Sequence, residues 1–186
     1  GTEEEVSYQK KKINKLAKTC KGMIGGSGNG KSGFMLTYAI AYVRDFVSDY
    51  QIMGETMETT VSWSNIQNVI NAVSEKLNEL HSLYKMPGKP YVSYRIPQIY
   101  HTGVCIYFML GMSVKGIDEP EEKFSEIEHT LREVIIKNGG SISHHHGVGK
   151  LRKDFLPNTL SETSMQLVQE LKLAHDPQNI FGAKNG

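Results

Sequence analysis

Apolar and polar positions along the chain predict a mixture of helices and strands. Apolar residues at helical spacing predict helices over residues 3 to 21, 34 to 50, 64 to 85, 119 to 137 and 161 to 174. Alternating apolar and polar residues predict strands over residues 51 to 62, 90 to 100 and 103 to 114. A short fourth strand is predicted in SISHH, residues 141 to 145.

The order of these elements predicts the fold class. From residue 51 to residue 145 it is strand, helix, strand, strand, helix, strand, which is the split βαββαβ plan of a ferredoxin-like antiparallel sheet. The basic turn GVGKLRK and a last helix follow. We therefore expect an α+β fold, with a ferredoxin-like antiparallel sheet, flanking helices and a C-terminal helical segment.

The stretch GGSGNGKSGF, residues 25 to 34, matches the phosphate-binding loop pattern GxxxxGK[ST]. Such a loop follows an apolar strand, but the residues before it, KLAKTCKGMI, are typical of a lysine-rich helix end. The pattern therefore favours a glycine-rich connector, and a nucleotide-binding module remains the weaker alternative. The connector would lead into FMLTYAIAYVRDFVSDY, which is apolar enough to predict a largely buried helix.

Composition adds few constraints. The 186 residues are 39% hydrophobic and 22% charged with a net charge of +1, which is typical of a globular protein and gives no sign of nucleic-acid binding. No apolar run is long enough to predict a membrane span. Cys20 and Cys105 are far apart and are expected to be buried thiols in a reducing compartment. The start GTEEEV, without Met, indicates a cloning or cleavage scar on a fragment.

The densest polar cluster is SHHHGVGKLRK, residues 143 to 153. Imidazoles, glycine amides and three cations together suit an anion, whereas the alternative is a solvated basic loop. Extended chain would send His144 and His146 to one side and His145 to the other. Zinc would also need a further Cys, His or carboxylate, and none is near in sequence, so no metal is predicted.

Four segments carry a resemblance to a known family: GGSISHHHGVGKLRK, DPQNIFG, YHTGVCIYF and LTYAIAYVRDF. Together they closely resemble the C-terminal part of the alkylglycerone-phosphate synthases, also called alkyldihydroxyacetonephosphate synthases, within the FAD-linked oxidases and vanillyl-alcohol-oxidase-like flavoproteins. Related FAD-linked 2-hydroxyacid dehydrogenases, of the D-lactate or glycolate type, typically have an acidic residue where His145 stands. They are the alternative family.

The resemblance implies a transferase of ether-lipid synthesis, on the route to plasmalogens. It exchanges the fatty acyl group of acyl-dihydroxyacetone phosphate for a long-chain fatty alcohol. FAD is then a covalent partner rather than a redox carrier, and its N5 holds the dihydroxyacetone phosphate carbons during the exchange. The resemblance further implies a peroxisomal location, a homodimer of the full-length enzyme, peripheral membrane contact and no nucleic-acid partner.

The resemblance also assigns residues. Tyr107 matches the tyrosine taken as acid and base, His144, His145 and His146 match a triple histidine needed for activity, and Arg44 matches a substrate-binding arginine. Arg95 is a weaker substrate-binding candidate, and His145, Lys150 and Asn185 are candidates for contacting FAD. Tyr107 alternates with Ile106 and Phe108, so its hydroxyl can project to one face of the sheet. Without the resemblance, a core tyrosine and a surface arginine are the simpler interpretation.

The resemblance finally divides the chain. Residues 1 to 145 would form the cap, or substrate, domain, and residues 146 to 186 a C-terminal segment that returns to an FAD-binding domain. That domain, with a further functional arginine and a targeting signal, precedes this part in the family. We therefore expect the chain alone to bind FAD weakly or not at all and to have no turnover.

Overall fold

The structure is a computed structural model that describes residues 1 to 182, apart from the side chain of residue 41. The described residues form two compact units, one over Gly1–Phe46 and one from Val47 onward. The division predicted at residue 145 stays a prediction.

The described residues contain six α-helices and three strands. The helices are α1 (Glu3–Thr19), α2 (Gly26–Asp49), α3 (Ile66–Leu83), α4 (Pro120–Lys137), α5 (Gly149–Arg152) and α6 (Glu162–His175). The strands are β1 (Ile52–Ser62), β2 (Tyr91–Ile99) and β3 (Gly103–Ser113). Among the described helices, none combines the length and hydropathy needed to cross a bilayer.

In the first unit, the glycine-rich stretch is helical rather than a connector. Helix α2 begins at Gly26, so Gly30, Lys31 and Ser32 lie within its first turns. A phosphate loop needs a strand before it, whereas α1 is the element that precedes this stretch. Both the predicted connector and the phosphate-loop alternative are therefore wrong.

Helix α2 is also exposed rather than largely buried, which corrects a second prediction. Phe34, Tyr42 and Phe46 are among its exposed large apolar side chains. The helix is apolar on several faces, but α1 has no buried residue either, so the described residues of this unit form no buried apolar core. Cys20, at the end of α1, is likewise exposed rather than buried.

The second unit is built on an antiparallel sheet of order β1-β3-β2. Alternate side chains of β3, including Ile106 and Phe108, are fully buried in the core formed with α3 and α4. The core residues of the two helices recur at helical spacing and are Val69, Ile70, Val73, Leu77 and Leu80 of α3 and Phe124, Ile127, Leu131 and Ile135 of α4. The predicted α+β class and antiparallel sheet are confirmed.

The predicted fourth strand is absent from the described residues. Residues 141 to 146 lie beside β1 but are irregular. Ser141 connects them to the sheet, since its N–H donates to the Thr60 carbonyl at 3.0 Å and its hydroxyl accepts from the Thr60 N–H at 2.9 Å. The segment therefore lies at the edge of β1 without continuing the strand pairing.

Two helix starts can be compared with the sequence. Ser161, where the last helix was predicted to start, caps α6, because its hydroxyl accepts from the Ser164 N–H at 3.2 Å. Ser64, the first residue of the helix predicted over residues 64 to 85, instead lies in a 3₁₀ turn, and its hydroxyl pairs with that of Ser62. Helix α3 starts later, at Ile66.

Gly103, the first residue of β3, generates a stability prediction. A Cβ atom there would lie 1.9 Å from the Val61 carbonyl oxygen, which belongs to the paired backbone of β1. We expect Gly103→Ala to lower the free energy of unfolding by about 1–3 kcal/mol, because the ladder must shift to relieve the clash. Chemical denaturation followed by circular dichroism measures it.

Gly111→Ala is the matched control on the same strand. Its Cβ atom would meet its nearest neighbour at 3.8 Å, an ordinary contact. We expect a change of less than about 1 kcal/mol. Equal losses for the two variants would contradict the steric account.

Candidate active site

The face of the sheet opposite the helical core carries a row of three polar side chains. In the strand register Glu58 of β1 lies opposite Tyr107 of β3, and Arg95 of β2 lies opposite Tyr107 on the other side. Directly paired residues share a face, so the three side chains start from the same surface. The Arg95 guanidinium carbon lies 4.5 Å from the centre of the Tyr107 ring, a cation–π contact.

The Glu58 carboxylate organises the triple histidine. The backbone N–H groups of His144, His145 and His146 all donate to its Oε1 atom, at 2.9, 3.1 and 2.9 Å. Successive N–H groups of a strand point in alternate directions, whereas three that converge on one oxygen form an anion-binding nest. This is the physical reason why the predicted strand at residues 141 to 145 does not form.

Side chains complete the enclosure of Glu58. The Ser143 hydroxyl donates to Oε1 at 2.9 Å. Arg152 donates from Nη2 to Oε2 at 3.2 Å, and the His146 Nδ1 atom lies 3.2 Å from the same oxygen. The Glu58 side chain is 0% exposed. A buried carboxylate at this depth is tolerated because every one of these groups faces it.

The electrostatics of Glu58 follow from these contacts. Burial on its own raises the pKa, but the N–H groups of His146 and His144, the Ser143 hydroxyl and the Arg152 charge outweigh it and lower the pKa from 4.5 to about 2. Burial, followed by the neighbouring Arg132 charge, lowers the pKa of Arg152, although the Glu58 charge opposes this. Arginine stays protonated, so the two groups form a buried ion pair.

The histidine rings lie over Tyr107. The His145 ring is stacked near the Tyr107 ring with centres 5.7 Å apart, and the His146 ring meets it edge-on at 5.5 Å. The His144 Nε2 atom lies 2.5 Å from the Tyr100 hydroxyl oxygen. The nest thus brings together rings that extended chain would have sent to opposite sides, so that part of the sequence interpretation was wrong.

A thiol lies beneath the histidines. Cys105 shares the face of Tyr107 on β3 and is 0% exposed. One potential ligand atom from each of Cys105, His144 and His145 lies within 4.8 Å of the others. Burial, and to a smaller extent the Glu58 charge, raises the pKa of the Cys105 thiol. The sequence shows no cysteine near the three histidines, but pairing of the strands brings the Cys105 thiol beside two of them as a potential metal ligand.

The structure brings Tyr107, Arg95 and the three histidines together, and their catalytic and binding roles stay predictions. Lys150 is exposed on the short helix α5. Arg44 lies on α2 in the first unit, where its guanidinium is 3.7 Å from the Asp45 carboxylate. Asn185 lies outside the described residues.

The family of FAD linked oxidases, C-terminal domain, matches residues 1 to 185. This chain belongs to that family. Its relatives include the alkyldihydroxyacetonephosphate synthase of Caenorhabditis elegans, 37% identical over 185 residues, covering all of this chain and 31% of the relative. The synthase of Dictyostelium discoideum is 30% identical over 156 residues, covering 83% of this chain and 25% of the relative. The resemblance inferred from the sequence is confirmed.

A solved structure shows the same fold for this FAD linked oxidase domain. An alkyldihydroxyacetonephosphate synthase matches with a TM-score of 0.66 at 22% identity, covering 97% of this chain and 29% of the other. The domain spans about a third or less of the length of the relatives it matches. What the longer proteins do as a whole therefore comes to this chain only as a proposal.

Sequence analysis of this FAD linked oxidase domain missed several site residues. Glu58 is the acidic residue in the stretch METTV of β1, where its neighbours are apolar residues and threonines. An acidic side chain among such residues is the sequence feature that could have indicated a buried, paired carboxylate. In the sequence, Arg152 is only one of three cations in the basic turn, and Cys105 is only an expected buried thiol. Tyr100 and Ser143 gave no signal, because their partners are fixed by tertiary contacts.

The Glu58 contacts predict a large loss of stability in Glu58→Gln. The amide removes the negative charge and leaves the Arg152 guanidinium buried without a carboxylate. We expect the free energy of unfolding at neutral pH to fall by about 3–5 kcal/mol, measured by urea denaturation. Glu79→Gln is the control, since Glu79 pairs with Lys76 while 62% exposed, and we expect less than about 1 kcal/mol there.

A double-mutant cycle separates the ion pair from general damage. If the charge pairing matters, Glu58→Gln combined with Arg152→Met costs less than the sum of the single changes, because neither charge is then left alone. Strict additivity would contradict the pairing.

Proposed function

We propose that this chain is the substrate-facing part of an FAD-linked transferase that exchanges the acyl group of acyl-dihydroxyacetone phosphate for a long-chain fatty alcohol. The observation that supports it most is the surround of Tyr107, with His145 stacked, His146 edge-on and Arg95 over the ring. The similarity to synthases over the whole chain supports the reaction class.

Tyr107 would act as the acid and base on the carbon-bound proton of the substrate. A phenol keeps its proton at neutral pH, so it needs neighbouring groups that favour its ionised form. The Arg95 guanidinium lies over the ring, where it would stabilise negative charge that develops on the phenol oxygen during proton transfer. The exposed rings of His145 and His146 could pass the proton between Tyr107 and solvent.

The substrate's phosphate would be bound by arginine. A guanidinium fork matches two phosphate oxygens better than a lysine ammonium does. Arg95 is exposed beside Tyr107, so it could contact the phosphate while it faces the ring. Arg44 is proposed for the same task from the resemblance alone.

The residues present fit an FAD that is held mainly by another part of the protein. His145 and Lys150 are both exposed, and an imidazole and an ammonium suit the oxygen atoms of a flavin and its phosphates. When bound, FAD would supply the electron-poor ring that accepts the substrate's carbon skeleton. The role of this chain would be to orient the substrate, exclude water and move the proton at Tyr107.

The remaining expectations belong to the same proposal. The full-length protein would work as a homodimer in the peroxisome, with peripheral contact to the membrane that supplies its lipid substrates, and without a nucleic-acid partner. On its own, this chain would retain little or no FAD and show no turnover.

Substitution of Tyr107 tests the proposed reaction. In the full-length protein, Tyr107→Phe removes the hydroxyl, keeps the ring contacts and should leave FAD bound. We expect the exchange rate to fall by at least about 10²–10⁴-fold, the range of a lost general acid or base. The assay follows incorporation of labelled fatty alcohol, with flavin absorbance as the readout of cofactor binding.

Tyr94→Phe is the matched control. Tyr94 lies next to Arg95 on β2, but its ring faces Phe108, on the core side of the sheet. Its exchange rate should stay within about twofold of the wild type, since no catalytic hydroxyl is lost. A Tyr107→Phe protein as active as this control would remove Tyr107 from the mechanism.

The transferase and the dehydrogenase alternative predict different responses of the flavin to 2-hydroxyacids. D-Lactate or glycolate should leave the flavin absorbance of the full-length protein unchanged under anaerobic conditions, because the site would not transfer hydride. The imidazole of His145, in place of the acidic residue of those enzymes, is the reason to expect this. Bleaching at millimolar substrate would support the dehydrogenase instead.

A further inference from the structure

Cys105, His144 and His145 form a cluster that the proposed exchange reaction does not fully use. The thiol is not needed by Tyr107, yet its sulfur and one ligand atom of each of two imidazoles lie within 4.8 Å of one another. Sulfur and imidazole nitrogen are the donors that zinc prefers, and three protein ligands with an open fourth position are typical of a reactive zinc site. We propose that Cys105, His144 and His145 bind one Zn²⁺ ion.

The arrangement of the two imidazoles supports this assignment. The Nδ1 atoms of His144 and His145 face each other at 2.8 Å. Only one proton fits between them, so when both rings are neutral at least one nitrogen presents a lone pair to the gap. Two nitrogens bound to zinc at about 2.0–2.1 Å lie about 3.3 Å apart in a tetrahedron. The two nitrogens are therefore within about half an ångström of the spacing that zinc needs, and the Cys105 sulfur has to approach them from within 4.8 Å.

The surroundings hold both rings in this orientation. The Tyr100 hydroxyl lies 2.5 Å from His144 Nε2. When the Tyr100 hydroxyl oxygen accepts a hydrogen bond from the Nε2–H group, Nδ1 is left as the free ligand atom of His144. A metal-binding histidine usually donates its other ring N–H in this way. Glu58 fixes the backbone of both histidines through their N–H groups. The site is thus preorganised by contacts outside the three ligands.

The third ligand determines which ions are held. Cys105 is fully buried on β3, and His145 is exposed, so an ion would enter from the side of the histidines. Binding converts the thiol to a thiolate and releases its proton to solvent, and the fourth position takes a water molecule. A thiolate with two imidazoles selects zinc or cobalt over magnesium or calcium.

Zinc at this site would also inhibit the proposed reaction. The ion would engage His144 and His145, and His145 is the ring stacked on Tyr107. Binding of the ion itself does not depend on the proposed function. A failure of one can therefore be distinguished from a failure of the other.

Cobalt provides the direct probe, because Co²⁺ takes zinc sites and reports its ligands in its absorption spectrum. Titration of the reduced 186-residue chain with Co²⁺ should give a sulfur-to-cobalt charge-transfer band that saturates at one ion per chain and disappears when Zn²⁺ is added. Cys105→Ser should lose the band. Cys20→Ser, the matched control at the exposed cysteine, should keep it.

Two further variants keep the test decisive if Cys105→Ser does not fold. His145→Ala, at an exposed side chain, should weaken cobalt binding at least about tenfold, and Tyr100→Phe about 10–100-fold, as for a lost second contact of a ligand. His101→Ala, an exposed histidine outside the cluster, should bind as the wild type does. Circular dichroism confirms that each variant is folded.

Three results would overturn the site. One is a folded wild type without the charge-transfer band at saturating Co²⁺. Another is a band that survives in Cys105→Ser or disappears in Cys20→Ser. The third is unchanged affinity in His145→Ala.

Discussion

A buried carboxylate must be satisfied, and the way this chain satisfies Glu58 determines the shape of its site. Three consecutive backbone N–H groups, a serine hydroxyl and an arginine all face one side chain with no exposed surface. Backbone that converges on one oxygen cannot alternate, so the side chains of residues 144 to 146 gather together instead of taking opposite sides of a strand. The grouped imidazoles are therefore a consequence of anion binding by the backbone.

The sheet converts this local arrangement into a site. Glu58 and Tyr107 are direct partners in the register of β1 and β3, so the histidine segment is attached one strand away from the phenol. Arg95 approaches the same ring from β2. Since the distances between neighbouring strands are fixed by backbone hydrogen bonds, movement of the histidines relative to Tyr107 requires loss of the Glu58 contacts. The positions of the histidines relative to Tyr107 are therefore fixed by the β1–β3 hydrogen bonds and the Glu58 carboxylate together.

The sequence patterns located most of this fold because they report burial. Periodic apolar residues predicted α3, α4, β1 and β3, which supply the core, and the alternation of Ile106, Tyr107 and Phe108 gave the face of the tyrosine correctly. The patterns also predicted α6 and β2, although neither has a buried residue. The same patterns failed where tertiary contacts decide. SISHH has the composition of a strand, yet the Glu58 carboxylate captures its amides, and Cys105 meets the histidines only through strand pairing. The apolar run from Phe34 predicted burial, which requires a partner surface, and no residue of α1 is buried against it.

The charge of Glu58 also bears on why an imidazole suits position 145. Glu58 already places one full negative charge under the segment, and its low pKa of about 2 means that the charge persists at neutral pH. A second carboxylate at residue 145 would lie beside Tyr107 and oppose both a phosphate group and negative charge on the phenol oxygen. An imidazole adds no negative charge, can donate or accept a proton and can coordinate a soft cation. Glu58 therefore favours neutral or cationic groups above it, which agrees with the phosphorylated substrate proposed above.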